Sequence, residues 1–183
     1  MIDDSKNKVL VVDPKLSYII SQVESGGFSG ALRFEPKVYA EIQSASRTDL
    51  DASLSLNAAH AVHVADSKRT LVARIAQINR CTEETAQVIY AMSFGLYQIM
   101  GYNLYDNGMH QPISNYLNGV QARVLQDAML AQFLAGHGLL NSWDEMAVNR
   151  DLLNHFALHY NGSLSYANRM KAVAREHYGE NLR

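Results

Sequence analysis

The spacing of apolar residues constrains the fold of this chain more than any other feature of its sequence. After Asp13 and Pro14, which suit the N-cap and first position of a helix, apolar residues follow at positions 16, 19, 20 and 23. Spacings of three and four residues place such side chains on one helix face, where they can be buried. Gly26 and Gly27 then predict the end of that helix.

The same spacing recurs along most of the chain and predicts a mainly helical protein. Further helices are predicted over residues 36–42, 50–64, 67–79, 82–92, 112–134, 143–148, 152–160 and 165–178, with a weak break at Gly119 in the longest. Hardly any segment alternates with the period of two residues that is typical of a strand. Only residues 28–34 and 46–56 are candidates for a hairpin, so we expect a mainly α fold with at most a small β-hairpin.

Composition and charge narrow the class of protein. Hydrophobic residues make up 48% of the chain and charged residues 19%, which is typical of a globular protein. A length of 183 residues suits one domain, spanning residues 1–183. The formal net charge of -2 argues against a nucleic-acid-binding protein that works by neutralising phosphates. The single cysteine, Cys81, excludes an intrachain disulfide.

The sequence also carries expectations about membranes and export. No apolar run is long enough for a transmembrane helix, so we expect no membrane insertion. The N-terminal region has two acidic residues where a signal peptide is basic, and its longest apolar run covers only residues 9–12. We therefore expect synthesis in the cytoplasm, with another component carrying the protein to any target outside the membrane.

Glu24 is the first candidate for a chemical role. It follows Val23 in the last turn of the first predicted helix, where a carboxylate faces the negative end of the helix dipole. Burial there would also favour the protonated form, and both effects raise the pKa of a carboxyl group. A general acid at neutral pH needs such a raised pKa. The alternative is a solvent-exposed glutamate at a frayed helix end.

Two later segments place amides and aromatic rings beside glycines. Gln98 stands among apolar residues between Gly95 and Gly101, and its amide can bind a polar ligand or the protein backbone. Tyr160 and Asn161 come directly before a glycine that predicts a helix end. They can present a ring and an amide to a substrate, or serve as a core tyrosine and a helix cap.

Metal and cofactor chemistry has weak support. His155 and His159 are four residues apart on a predicted helix, and His60 and His63 are three apart. Neither pair has an HExxH pattern or an evident third ligand, so we expect packed or solvated histidines and no metal site. No phosphate-binding loop or dinucleotide fingerprint is present, and no cofactor is expected.

Taken in order, four segments resemble the N-acetylmuramidase family of phage endolysins. They read VESGGFSG (23–30), RFEPKVY (33–39), SFGLYQIMGYN (93–103) and FALHYNG (156–162). This family is part of the lysozyme superfamily, with goose-type lysozymes and soluble lytic transglycosylases. The resemblance covers residues 16–178, although the stretch 46–80 has no matching motif, and Tyr97 stands where transglycosylases more often carry methionine.

The resemblance implies a lysozyme-like helical domain that cleaves the β-1,4 bond between N-acetylmuramic acid and N-acetylglucosamine in peptidoglycan. It implies Glu24 as the general acid and Glu35 as a second carboxylate. It further implies substrate contacts from Ser25, Ser93, Tyr97, Gln98, Tyr102, Tyr160 and Asn161. It also implies a monomer without cofactors, which waits in the host cytoplasm for release by a holin-type partner and then reaches the periplasm and cell wall.

Several alternatives stay open. Glu35 lies between Arg33 and Lys37 and suits a structural ion pair equally well, and Glu41, Asp49 and Asp51 are weaker candidates for the second carboxylate. A lytic transglycosylase needs no second carboxylate, because the 6-hydroxyl of the substrate itself attacks and forms a 1,6-anhydro end. A non-catalytic peptidoglycan-binding or virion structural domain on the same fold is the other alternative.

Overall fold

The fold is mainly helical with a small antiparallel sheet, as predicted. The computed structural model describes residues 10–47 and 56–179. Along them lie α1 (Pro14–Ser25), β1 (Leu32–Phe34), α2 (Pro36–Arg47), α3 (Leu56–Asn79), α4 (Glu83–Tyr90), β2 (Met92–Phe94), β3 (Ile99–Met100), α5 (Gly101–Asp106), α6 (Ile113–Asn118), α7 (Ala122–Gly136), α8 (Trp143–Val148), α9 (Arg150–Asn161) and α10 (Ser165–Tyr178). This arrangement is consistent with a lysozyme-like helical fold. No helix within the described ranges is both long and apolar enough to span a membrane.

Helix α1 forms where the sequence predicts it. The Asp13 carboxylate accepts hydrogen bonds from the backbone N–H groups of Lys15 and Leu16, at 2.7 and 3.2 Å, and caps the helix. Its second oxygen accepts from the backbone N–H of Trp143, which fixes the start of α1 against α8. Of the predicted apolar face of α1, Leu16, Ile19 and Ile20 are fully buried and Val23 is partly buried. Gly26 ends the helix in the left-handed conformation at φ 62°.

The sheet differs from the predicted hairpin. Its order is β1-β2-β3, and the hairpin joins β2 to β3 within residues 92–100. The candidate segment 28–34 contributes β1, which pairs with β2 far along the chain. The candidate at 46–56 is wrong at its start, because α2 runs to Arg47, and residues 48–55 lie outside the described ranges. Strands of two or three residues are too short to display an alternating pattern.

The helix boundaries differ from prediction in other regions as well. The helix predicted over 82–92 ends as α4 at Tyr90, because β2 starts at Met92, and α5 was not predicted. Residues 50–64 and 67–79 were expected as two segments, whereas α3 runs without a break from Leu56 to Asn79. The predicted weak break at Gly119 is confirmed, since α6 ends at Asn118 and α7 starts at Ala122.

The hairpin packs against the end of α1, and this contact positions the site described below. The Ser25 hydroxyl donates to the Leu96 carbonyl at 2.9 Å, and the Gly95 backbone N–H donates to the Ala31 carbonyl at 2.8 Å. The last turn of α1, which carries Glu24, therefore lies beside the turn between β2 and β3.

Candidate active site

A polar cleft of about 340 Å³ opens where α1 ends. The hairpin, α5 and the C-terminal ends of α7 and α9 form its walls. The residues that line it are Glu24, Arg33, Tyr97, Gln98, Ile99, Met100, Tyr102, Asn103, Phe133, His137, His159, Tyr160 and Asn161. Six of the nine predicted site residues border this cleft: Glu24, Tyr97, Gln98, Tyr102, Tyr160 and Asn161. The other three, Ser25, Glu35 and Ser93, do not.

Glu24 is partly buried in this cleft, and its pKa is raised. Burial, which disfavours the charged carboxylate, is the main cause. Four neighbours act in the opposite direction and lower the pKa of Glu24: the side chains of Tyr166, Arg33, Arg169 and Asn161. The direction of the shift matches the prediction, with burial as the dominant cause. A raised pKa favours the protonated form that a general acid requires, and the two arginines are close to the carboxylate once it is ionised.

Two residues of α10 that the sequence analysis missed surround Glu24. The buried Tyr166 hydroxyl makes no well-formed hydrogen bond within the described residues, and it interacts with the Glu24 carboxyl group. The Arg169 guanidinium lies over the Tyr166 ring, 5.0 Å from its centroid, and donates to Asn161 Oδ1 at 3.3 Å. Their spacing places both on one face of α10, but it does not indicate which partner they meet.

The amide of Gln98 is engaged within the hairpin. Its Oε1 accepts from the Ser93 hydroxyl at 2.9 Å, and its Nε2 donates to the Gly95 carbonyl at 3.0 Å. Ser93 is 0% exposed, so the prediction that it contacts substrate is wrong, and it positions Gln98 instead. Ser25 likewise uses its hydroxyl inside the fold, on the carbonyls of Ser21 and Leu96.

Tyr97 borders the cleft, but its ring is 1% exposed. Its hydroxyl lies 2.7 Å from Ser17 Oγ and donates to Asp127, which also accepts from Arg123. The prediction that this ring binds a sugar is therefore wrong, because the whole side chain packs in the core. The Tyr97 carbonyl accepts a hydrogen bond from the Tyr160 hydroxyl at 2.9 Å, which holds Tyr160 against the hairpin.

The aromatic lining of the cleft comes from α5, α7 and α9. The Tyr160 ring stacks between Phe156 and Tyr166, with centroid distances of 5.3 and 5.5 Å, and meets Phe133 edge-on. Tyr102 of α5 packs against the Tyr90 ring, with the centroids 5.2 Å apart, and lines the cleft. Neighbouring rings cover the faces of Tyr160, so the partly buried ring of Tyr102 is better placed to contact a sugar.

Glu35 does not line the cleft. Arg33 Nε donates to Glu35 Oε1 at 2.6 Å, which is the ion pair that the sequence left open as an alternative. The same arginine lines the cleft and lowers the pKa of Glu24, so its guanidinium group interacts with both glutamates. Of the weaker candidates, Glu41 pairs with Lys68 at 3.6 Å. Asp49 and Asp51 lie outside the described residues.

Of the two histidine pairs, the structure describes the side chains of His155 and His159. Within the described part of the chain, no group of three or more His, Cys, Asp or Glu side chains could hold a metal ion. The rings of His155 and His159 pack together, with centroids 4.0 Å apart. The side chains of His60 and His63 lie outside the described part.

Gln126 of α7 is a further residue that sequence reasoning missed. It is 0% exposed and joins three segments around the cleft. Its Oε1 accepts from the Leu96 backbone N–H at 2.8 Å, and its Nε2 donates to the carbonyls of Ser29 and Tyr116 at 3.0 and 2.8 Å. Gln126 thus fixes the hairpin turn to the loop that follows α1. A lone glutamine on a predicted buried helix face was the available signal.

Comparison with known proteins assigns the family. Over 151 residues the chain is 34% identical to the endolysin of Enterobacteria phage PRD1, and the match covers 81% of this chain and 87% of that relative. The chain therefore belongs to the phage endolysin family. No family model and no solved structure matches it.

Proposed function

We propose that this chain is a single-domain peptidoglycan-degrading glycosidase that lyses a phage host. It would cleave the β-1,4 bond between N-acetylmuramic acid and N-acetylglucosamine, with Glu24 as general acid. The observation that carries the proposal is the carboxyl group of Glu24, whose pKa is raised by burial in a polar cleft with an aromatic lining. Membership of the endolysin family supports the lysis role.

In this proposal the protonated Glu24 transfers its proton to the glycosidic oxygen as the bond to the muramic acid carbon breaks. Water then attacks that carbon and releases its proton to the solvent. The Glu24 carboxylate left behind is stabilised by Arg33 and Arg169 and by the Tyr166 hydroxyl, which are already around it. General acid catalysis of this kind contributes about 10²–10⁴-fold to the rate.

A second candidate is a lytic transglycosylase, and one observation favours it. Glu24 is the only carboxylate among the described residues that line the cleft, and Glu35 is paired with Arg33 outside that lining. Hydrolysis usually requires a second carboxylate to activate water. In the transglycosylase reaction, the substrate's 6-hydroxyl attacks the muramic acid carbon, and the Glu24 carboxylate accepts the proton of that hydroxyl.

Mass analysis of digested glycan strands tests both candidates. Hydrolysis gives products with a reducing muramic acid end, whereas transglycosylation gives 1,6-anhydro ends that are lighter by one water. Glu24→Gln should remove either product while the variant stays folded, because it retains the side-chain volume and loses only the transferable proton. Absence of both products with wild-type protein would favour the non-catalytic peptidoglycan-binding alternative. Wild-type rates in a folded Glu24→Gln variant would contradict the proposal.

Release by a holin-type partner and action as a monomer complete the proposal. A Gram-negative host that expresses the protein in its cytoplasm should stay intact until its inner membrane is opened. Chloroform treatment should then clear the culture, and a Glu24→Gln culture treated in the same way should not clear. Lysis upon induction alone would contradict the need for a partner, and sedimentation analysis of purified protein tests the oligomeric state.

A further inference from the structure

Two histidines are among the residues that line the cleft, and the proposed reaction does not use them. His137 caps the C-terminal end of α7, and His159 lies in the last turn of α9. Both side chains are exposed, and both border the cleft that contains Glu24. Neither was singled out as a substrate contact from the sequence, because nothing in the local pattern shows that the ends of α7 and α9 meet.

Each ring is fixed by its own helix in the same way. His137 Nδ1 lies 2.8 Å from the Phe133 carbonyl, and His159 Nδ1 lies 2.9 Å from the His155 carbonyl. A carbonyl oxygen only accepts, so Nδ1 carries the hydrogen in both rings. Nε2 is then left with a lone pair in the neutral ring and becomes a donor when the ring is protonated. No described residue makes a hydrogen bond to either Nε2.

The surroundings of these rings favour a negatively charged ligand. Two arginines lie close by: Arg33 lines the cleft, and Arg169 binds Asn161 at its edge. The other titratable groups that line the cleft are Glu24, Tyr97, Tyr102 and Tyr160. His155 packs against the His159 ring, and Glu35 is paired with Arg33. Glu24 is the only acid among the described residues that line the cleft, and burial favours its neutral form.

Building on the proposed function, we propose that His137 and His159 form a subsite for carboxylates on the peptide stems of peptidoglycan. The glycan backbone is uncharged where each lactyl group is joined to a peptide, and the stem supplies the carboxylates. Protonated Nε2–H groups would donate to such a carboxylate, and charge-assisted bonds of this kind are stronger than neutral ones. The cleft would thus recognise peptide-bearing strands in preference to uncharged polymers of N-acetylglucosamine.

Binding to soluble strands tests this proposal in the Glu24→Gln background, which prevents cleavage and removes the titration of Glu24. Titration calorimetry would compare intact strands with strands whose carboxylates have been converted to amides. We expect amidation to weaken binding about tenfold, the effect of losing a charge-assisted hydrogen bond.

Substitutions of histidines test whether His137 and His159 cause the preference for intact strands. His137→Gln combined with His159→Gln should remove most of the preference for intact strands. His110→Gln, a change of the same type at an exposed histidine outside the cleft lining, should keep that preference. Thermal melting of each variant checks folding. Because both cleft histidines are exposed, we expect little change in melting temperature.

Three results would contradict the proposal that His137 and His159 form this subsite. They are equal binding of intact and amidated strands, an unchanged preference in the double histidine variant, or equal binding of strands whose peptides an amidase has removed. The last result would assign the carboxylate to the lactyl group instead of the stem. Failure to bind any strand, including amidated ones, would instead refute the proposed function on which the subsite depends.

Discussion

Replacing Gln126 with alanine should destabilise the protein and disorganise the cleft. The substitution leaves three backbone groups without their partner: the Leu96 N–H and the carbonyls of Ser29 and Tyr116. A buried polar group that loses its partner costs about 1–3 kcal/mol. Even at the low end, the three together lower the free energy of unfolding by about 3 kcal/mol. That is a large share of the roughly 5–15 kcal/mol typical of a folded domain.

Urea unfolding followed by circular dichroism measures this loss as a shift of the midpoint. Gln126→Glu distinguishes the acceptor from the donors. It retains an oxygen that accepts from the Leu96 N–H and removes the N–H groups that donate to the carbonyls of Ser29 and Tyr116. Gln132→Ala is the matched control, since Gln132 is exposed on the same helix, and we expect it to change stability by less than about 0.5 kcal/mol.

Peptidoglycan cleavage by the folded fraction is the second measurement for Gln126→Ala. Loss of the three Gln126 hydrogen bonds should reduce activity more than it reduces the folded fraction, because the hairpin turn would no longer be held beside the end of α1. A stability loss below about 1 kcal/mol would refute the reasoning, because it would mean that the three backbone groups find other partners at little cost.

Three further predictions concern the acids and Tyr160. Burial raises the pKa of Glu24 above its value in the unfolded chain, so folding stability falls as pH rises from the unfolded to the folded pKa. Glu24→Gln lacks this loss and should melt at a higher temperature than wild type near neutral pH, with the gap closing in acid. Glu35→Gln should retain most activity and lose only about 0–1 kcal/mol of stability, since its partner Arg33 forms a partly exposed ion pair. A loss of activity by orders of magnitude without a change in melting would assign Glu35 as the second carboxylate. Tyr160→Phe retains the ring but removes the bond to the Tyr97 carbonyl, so we expect a loss of about 0.5–1.5 kcal/mol and a larger relative loss of cleavage.

The parts of the fold that could be predicted are those that local sequence determines. The cap at Asp13, the apolar face of α1 and the stop at Gly26 all act within a few residues, and the structure has each of them as predicted. The hairpin of residues 92–100 could not be predicted in this way. Its strands are too short to show a period, and its pairing with β1 depends on residues far away in the chain.

The candidate site shows the same division between local and distant contacts. Glu24 could be singled out as a candidate because the sequence alone predicts a glutamate in the last turn of a helix. The motif around Gln98 placed a segment at the cleft but could not give the direction of each side chain, so Tyr97 and Ser93 were wrongly expected to face the substrate. Tyr166 meets Glu24 only through the packing of α10 against α1, which no local pattern encodes.

The backbone of Gln98 has a consequence for attempts to make this protein more heat-resistant. Its φ of 47° lies in the left-handed region, which costs a residue other than glycine roughly 1–2 kcal/mol. Glycine would relieve that cost, but Gln98→Gly would also lose the hydrogen bonds of the amide to the Ser93 hydroxyl and the Gly95 carbonyl, at about 0.5–1.5 kcal/mol each, so we expect little net gain in melting temperature. The same change would remove the amide from the cleft wall and should reduce catalysis. The strained backbone at this position therefore offers little to a thermostability screen, and a screen that also selects for turnover should retain glutamine.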